Sequence, residues 1–282
     1  MASASDAKLA YKERIKNMKI SFIGAGHITE LLINHLISVA MFKAEELTIS
    51  DPDMERCKKL NKKFCVSVAS DNRDAAARSD IIFVCVQPQI VQMVVNELKG
   101  VDLHDKILIS VSAGISIDIY QRSLKNIVVV RILPNPPSTI GEGAIPVVIS
   151  RNADQEQREC IMALVSIFGK CFIVSEEKID IFTSLTSPAP VLTFFESMVG
   201  AAVLCGLDYK TSIAMVFQTI VGCIKMWEKN NFNLNDLIIT SCTPAGTSVE
   251  SLRVMDQMNF RAAVKESYRA AWEKSKNFCD KN

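Results

Sequence analysis

Ile20-Ser21-Phe22-Ile23-Gly24-Ala25-Gly26-His27-Ile28 is the stretch that decides the fold of this chain. The apolar run that ends at Ile23 predicts a buried parallel strand, and apolar residues at helical spacing after Ile28 predict a helix. Gly24 permits the tight turn between them, and Gly26 lets a pyrophosphate approach the positive end of the helix. Because the third glycine of the G-x-G-x-x-G pattern is Thr29 here, the same turn also fits a strand-to-helix connection that binds nothing.

Composition limits the classes of partner. The 282 residues are 49% hydrophobic and 22% charged, with a net charge of +1, so neither nucleic acid nor an anionic membrane is expected as a partner. No apolar stretch resembles a signal peptide or a continuous membrane span, so we expect a soluble, cytoplasmic protein.

The cysteines and histidines indicate a reducing compartment and no metal. The nine cysteines form no C-x-x-C pair and several lie in apolar stretches, which is typical of reduced core residues. The three histidines lack metal-ligand spacing, so no metal site is expected.

Strand-like and helix-like segments alternate through the first 174 residues. This alternation predicts a doubly wound, mostly parallel sheet of the Rossmann type over residues 18–174, preceded by a polar extension over 1–17. The predicted strands after the first are Glu46–Ser50, Asp80–Val86, Lys106–Val111, Asn126–Ile132, Ala144–Ser150 and Cys171–Val174.

The sequence of residues 175–282 predicts helices and no strands. Val191–Leu204, Tyr209–Lys229 and Phe260–Phe278 carry apolar residues at helical spacing, and Gly206 is placed to end the first of these helices. Several of the helices are apolar over most of their circumference, so we expect a partner subunit to cover part of this domain.

A Rossmann-type sheet holds a dinucleotide at the carboxyl ends of its strands. Asp51 follows the second strand, about 25 residues after Gly26, where a carboxylate binds the ribose hydroxyls of NAD and repels the 2′-phosphate of NADP unless Arg56 or Lys58 compensates. A turn residue or helix cap is an equally good interpretation of Asp51. The candidate cofactor-binding residues are Gly24, Ala25, Gly26, His27, Ile28, Ser50, Asp51, Val86, Gln87, Pro88, Ala113, Gly114 and Asn135.

The helical part contains one candidate substrate site. Amides at the start of the helix that runs to Gln257, together with nearby hydroxyl groups, would bind a carboxylate. Ordinary capping by threonine or serine is the alternative. The residues concerned are Thr243, Ala245, Gly246, Thr247 and Ser248.

Eight segments of the chain match one known pattern in order: Phe22–Gly26, Asp80–Gln89, Ser112–Ile115, Arg131–Pro137, Gly141–Ala144, Gln218–Thr219, Pro244–Ser248 and Asn259–Val264. From about Lys19 to Asn277 the chain thereby resembles the pyrroline-5-carboxylate reductase family. The resemblance implies NAD(P)H-dependent reduction of a cyclic imine carboxylate to proline, with a helical domain that interlocks in a dimer or larger ring. It also implies Ser248 and Thr247 as catalytic candidates, with Ser248 on the ring nitrogen.

The chain departs from the family pattern where substrate is expected. The Ser-Gly-Ser-Gly-Pro-Ala-Tyr segment of the family is two residues shorter here, with Pro188 as the remaining substrate-binding candidate and Pro190 in place of the tyrosine. The family's Val-Lys-Pro reads Val86-Gln87-Pro88, and an asparagine of the glycine turn is His27. Two alternatives therefore stay open: a reductase for another imine or keto acid, and a dinucleotide-binding protein with a regulatory, non-catalytic role.

Overall fold

The computed structural model describes residues 14–229 and 233–279, with side chains described to residue 275. Most of the predicted 1–17 extension, namely residues 1–13, lies outside the described residues. The chain forms two compact units. One contains the chain up to Thr186 together with the chain from Trp272 onward, and the other is Ser187–Ala271.

An eight-stranded sheet forms the centre of the first unit. Its strands are β1 (Ile20–Ile23), β2 (Leu47–Ser50), β3 (Ser67–Val68), β4 (Ile81–Val84), β5 (Ile107–Ser110), β6 (Val128–Ile132), β7 (Gly143–Ile149) and β8 (Gly169–Ile173). They lie in the order β3-β2-β1-β4-β5-β6-β7-β8. Neighbouring strands are parallel except β6 and β7, so the predicted mostly parallel, Rossmann-type sheet is confirmed.

Helices connect the strands and cover both faces of the sheet. In the first unit they are α1 (His27–Ser38), α2 (Met54–Phe64), α3 (Asn72–Ala77), α4 (Pro88–Leu98), α5 (Ile117–Gln121), α6 (Gln155–Val165) and α7 (Ile179–Leu185). The later helices are α8 (Pro188–Leu204), α9 (Tyr209–Lys229), α10 (Leu234–Thr240), α11 (Thr247–Gln257) and α12 (Phe260–Cys279).

The sequence of β4 shows why the sheet is buried on both sides. Ile81 and Phe83 belong to one apolar cluster, and Ile82 and Val84 belong to the other. Successive side chains of a strand point to opposite faces, so a run without polar residues needs helices on each face. On the first face the ring of Phe83 stacks on that of Phe22, with centroids 5.0 Å apart.

The structure adds elements that the pattern did not reveal. The strand β3 and the helices α3, α7 and α10 are short, and short elements show too little periodicity to be recognised. The predicted division at residue 174 follows the end of β8, whereas the compact unit continues to Thr186. It continues because Ile179 is fully buried in the apolar cluster of the second face.

The second unit exposes much of its apolar surface in the single chain. Leu204 is 90% exposed and Phe217 is 67% exposed, although both lie on long, apolar helices. Gly206 adopts a φ of +99° just after α8, as the predicted helix end requires. Exposed apolar side chains on this scale mark a surface that another protein chain covers.

Candidate functional site

The glycine turn after β1 requires glycine at its first position. Gly24 has a φ of +102°, and a Cβ atom built there would lie 2.7 Å from the carbonyl oxygen of Cys85 at the end of β4. Gly26 is different, because its backbone is extended and a Cβ atom would meet nothing within 4 Å. Gly26 begins α1 without a side-chain cap, so the start of this helix faces open space.

Thr29 strengthens the turn in place of the third glycine. Its hydroxyl group is buried and donates a hydrogen bond to the carbonyl oxygen of Gly24. The departure from the glycine pattern therefore adds a contact that fixes the turn. Only the three-dimensional contact reveals this role, since a threonine on a helix carries no such signal in the sequence.

Asp51 contacts the same turn from the end of β2. Its Oδ2 accepts a hydrogen bond from the amide of Ala25 at 2.7 Å, and its Oδ1 accepts one from the amide of Asp53 at 2.8 Å. The cap of α2 is Asp53, which accepts from the amides of Glu55 and Arg56. Asp51 is therefore not the helix cap that the sequence allowed, but its bond to the Asp53 amide is that of the turn residue that the sequence also allowed.

Two cavities flank the turn and hold most of the predicted cofactor-binding residues. One has a volume of about 450 Å³ and the other of about 170 Å³. Gly24, Ser50, Asp51 and Val86 line the larger cavity. His27, Ile28 and Asn135 line the smaller one, beside Pro134 and Pro136.

The remaining candidates after Gly26 follow the strands β4 and β5. Gln87 precedes α4 and Pro88 is its first residue. Ala113 and Gly114 follow β5, and Gly114 has a φ of +72°. Their assignment to the cofactor stays a prediction.

A buried arginine fixes the loop at Gly114. Arg131 has a side chain only 3% exposed, and it pairs with Glu176 at 3.0 Å and with Asp180 at 3.4 Å. The Glu176 carboxylate also accepts the amide of Ile117 at 2.7 Å, and that of Asp180 accepts the amide of Gly114 at 3.3 Å. This network ties the loop after β5 to the segment that follows β8.

Asn135 holds the proline-rich loop through all of its polar atoms. Its Nδ2 donates to the carbonyl oxygen of Thr186 at 3.0 Å, and its Oδ1 accepts from the Ser138 hydroxyl and the Ala144 amide. The side chain therefore has a structural task in addition to the cofactor contact predicted for it.

Neither Tyr120 nor Cys85 suits the role of a general base or nucleophile at neutral pH. Burial raises the pKa of Tyr120 to about 12, and its hydroxyl lies 2.7 Å from that of Ser110. Burial likewise raises the pKa of the Cys85 thiol to about 12. Both groups stay protonated at pH 7.

The candidate substrate site lies at the start of α11 in the second unit. Thr247 and Ser248 line a cavity of about 620 Å³ together with Cys223 and Met226. The helix has Gly246 as its N-cap and no side-chain cap, so capping by a threonine or serine is not what these residues do.

The turn before α11 already uses one of the predicted amides. The amide of Gly246 donates to the carbonyl oxygen of Thr243 at 2.9 Å, and Ala245 adopts a φ of +58°. A Cβ atom at position 246 would collide with the Thr243 hydroxyl. In this conformation the Gly246 amide is engaged within the turn, and its assignment to the substrate carboxylate stays a prediction.

Pro188 occupies the first position of α8, where its missing amide hydrogen costs nothing. It does not line the cavity beside Ser248. Its assignment to substrate binding stays a prediction.

Two family models match the chain. The model described as pyrroline-5-carboxylate reductase dimerisation matches residues 176–278. The model described as NADP oxidoreductase, coenzyme F420-dependent, matches residues 19–114.

Several known proteins are similar along almost the whole chain. The pyrroline-5-carboxylate reductase of Methanosarcina acetivorans is 30% identical over 265 residues, which covers 93% of this chain and 98% of that protein. The pyrroline-5-carboxylate reductase of Escherichia coli K12 is 28% identical, and the match covers 91% of this chain and 97% of that protein. The crystal structure of the Plasmodium falciparum pyrroline carboxylate reductase with NADP bound has a TM-score of 0.81 at 27% identity, covering 94% of this chain and 99% of that one.

Proposed function

This chain belongs to the pyrroline-5-carboxylate reductase family, and on that premise we propose that it reduces 1-pyrroline-5-carboxylate to L-proline with NADPH or NADH. The observation that carries the proposal is the 30% identity to the Methanosarcina acetivorans enzyme over nearly the full length of both chains. The enzyme class is an NAD(P)-dependent oxidoreductase acting on a CH–NH bond.

The residues around the glycine turn fit a dinucleotide. The open space beside Gly26 admits a pyrophosphate to the start of α1, where backbone amides and the helix dipole favour negative charge. The cavities on the two sides of the turn suit the two nucleoside halves. When bound, the reduced nicotinamide supplies a hydride to the imine carbon.

In the second unit, Ser248 accepts a hydrogen bond from the protonated ring nitrogen, which loses its positive charge in the reaction. The hydroxyl of Thr247 and the amides at the start of α11 hold the substrate carboxylate. Because the imine is already protonated, these residues chiefly position it, and no strong acid is required.

The protein is a homo-oligomer through its helical part. Residues 176–278 match a dimerisation model, and helices α8 and α9 in this range expose large apolar side chains in the single chain. We propose an interlocked dimer, which larger rings can repeat.

A cytoplasmic, membrane-free location completes the proposal. Among the described residues, one stretch, Glu176–Leu204, is long and apolar enough by composition to cross a membrane. We assign this stretch to the dimer interface instead. The backbone at Ser187 is extended and separates α7 from α8, so the stretch is not one continuous helix. The eight cysteines in the described part of the chain are free thiols, as in a reducing compartment.

The direct test measures the oxidation of NADH and NADPH by the purified full-length protein in the presence of pyrroline-5-carboxylate. We expect saturable turnover that yields proline. Turnover only with other cyclic imines or keto acids would support the altered-substrate alternative, which the shortened segment around Pro188 favours. Cofactor binding without turnover of any of them would support the regulatory alternative.

Replacing Ser248 by alanine tests the assignment of the ring nitrogen. Loss of the hydroxyl should lower kcat for pyrroline-5-carboxylate by about tenfold or more, because a hydrogen bond to a charged group contributes about 1.5–3 kcal/mol. The dissociation constant of the cofactor should not change. The control is Ser251→Ala, which alters the same cavity one helical turn later. Equal losses of turnover and cofactor binding would contradict the role.

A further inference from the structure

We propose that Asp51 makes the dinucleotide site of this chain selective for NADH over NADPH. The inference rests on the proposed function only for the presence of a dinucleotide site and does not depend on which imine is reduced.

The position of Asp51 is fixed by the backbone. Each of its carboxylate oxygens accepts one amide hydrogen, from Ala25 at 2.7 Å and from Asp53 at 2.8 Å. A carboxylate oxygen has two lone pairs, so each oxygen can still accept a second hydrogen bond. The carboxylate is therefore held at the end of β2 with acceptor capacity for the two ribose hydroxyls, the place at which this fold recognises them.

The cavity beside Asp51 is acidic. Among the described residues that line it, the charged groups are the carboxylates of Asp51, Asp71 and Glu97 and the guanidinium of Arg73. The Nε of Arg73 is held by the carbonyl oxygen of Glu97 at 2.8 Å. An added 2′-phosphate, with a charge near −2, would enter a site that is already negative.

The two cations that the sequence places just after Asp51, Arg56 and Lys58, do not reverse this balance. Arg56 lies 3.1 Å from the Asp53 carboxylate and Lys58 lies 2.8 Å from that of Glu55. Neither lines the cavity. Arg56 and Lys58 therefore do not supply the positive charge that the 2′-phosphate of NADP would need beside Asp51.

This preference differs from what similarity alone would suggest. The Plasmodium falciparum structure contains NADP, and the family model that matches residues 19–114 is described as an NADP oxidoreductase. The charged residues of this chain around the cavity at Asp51 favour NADH instead.

Equilibrium titration of the full-length protein with NADH and with NADPH, each followed by calorimetry, tests the proposal without relying on turnover. We expect NADH to bind about tenfold or more tightly, because the 2′-phosphate of NADPH would enter a cavity whose lining has three carboxylates and one guanidinium group. Raising the ionic strength should narrow the difference, since screening weakens the repulsion.

Asp51→Asn removes the charge at nearly constant shape. The ratio of the two dissociation constants should shift toward NADPH by about tenfold or more. Loss of the hydrogen bond to the Ala25 amide would weaken the binding of both cofactors equally. The ratio of their dissociation constants therefore separates charge selectivity from damage to the turn. Asp118→Asn is the control, since it removes an exposed carboxylate that does not line the cavity, and its ratio should stay within about twofold of that of the unaltered protein.

The outcomes separate this inference from the proposed reaction. Equal binding of both cofactors, a preference for NADPH, or an unchanged ratio in Asp51→Asn would overturn the role of Asp51, whether or not the imine is reduced. Preferential NADH binding without imine turnover would overturn only the proposed reaction. Binding of neither dinucleotide would overturn both.

Discussion

Replacing Gly24 by alanine is expected to lower the free energy of unfolding by about 2–4 kcal/mol and to abolish measurable dinucleotide binding. An alanine at a φ of +102° is strained, and its Cβ atom would lie 2.7 Å from the Cys85 carbonyl oxygen. That oxygen is backbone at the end of a central strand, so it cannot rotate away. The turn must open, and the bond from Thr29 to the Gly24 carbonyl is lost with it.

Gly26→Ala is the matched control, because it adds the same methyl group two residues later. A Cβ atom there meets no protein atom within 4 Å and the backbone is not left-handed, so stability should fall by less than about 1 kcal/mol. Cofactor affinity should nevertheless fall, because the methyl group occupies the approach of the pyrophosphate. Urea denaturation and cofactor titration measure the two effects, and similar losses of stability in both variants would refute this account of the turn.

Replacing Arg131 by methionine is expected to cost about 2–4 kcal/mol of stability. The guanidinium is almost fully buried between Glu176 and Asp180, and methionine keeps the length of the side chain while leaving both carboxylates without their cation. The carboxylate side chains are 35% and 27% exposed, so water compensates part of the loss and the larger values for fully buried pairs do not apply.

Arg122→Met provides the comparison for Arg131. Its guanidinium is 79% exposed and lies 3.7 Å from Asp118, so its removal should cost less than about 0.5 kcal/mol. Chemical denaturation of both variants measures the difference. In Arg131→Met the loop at Gly114 also loses its support, and the KM for cofactor should rise. A loss no larger than that of Arg122→Met would show that the buried network contributes little.

The strongest features of the fold were predictable because they are local. The apolar run of β1, the two glycines and the helical spacing after them predict a strand, a turn and a helix without any knowledge of distant residues. The long apolar helices beyond Ser175 predicted a surface for a partner, and the dimerisation match to residues 176–278 supports it. Short elements such as β3 and α10 were not predicted, because a segment of so few residues is too short to show a periodic pattern.

The sequence by itself determined the class of fold, since periodicity and spacing are properties of neighbouring residues, and its motifs carried the resemblance to the family. The same pattern predicted the strand ends at which a dinucleotide is expected. Only the tertiary structure decided what Asp51, Thr29 and Arg131 contact. Asp51 binds an amide 26 residues away and Arg131 binds a carboxylate 45 residues away. Such contacts depend on how strands and loops are brought together, so no local pattern predicts them, and the acidic cavity that underlies the proposed choice of NADH is one of their results.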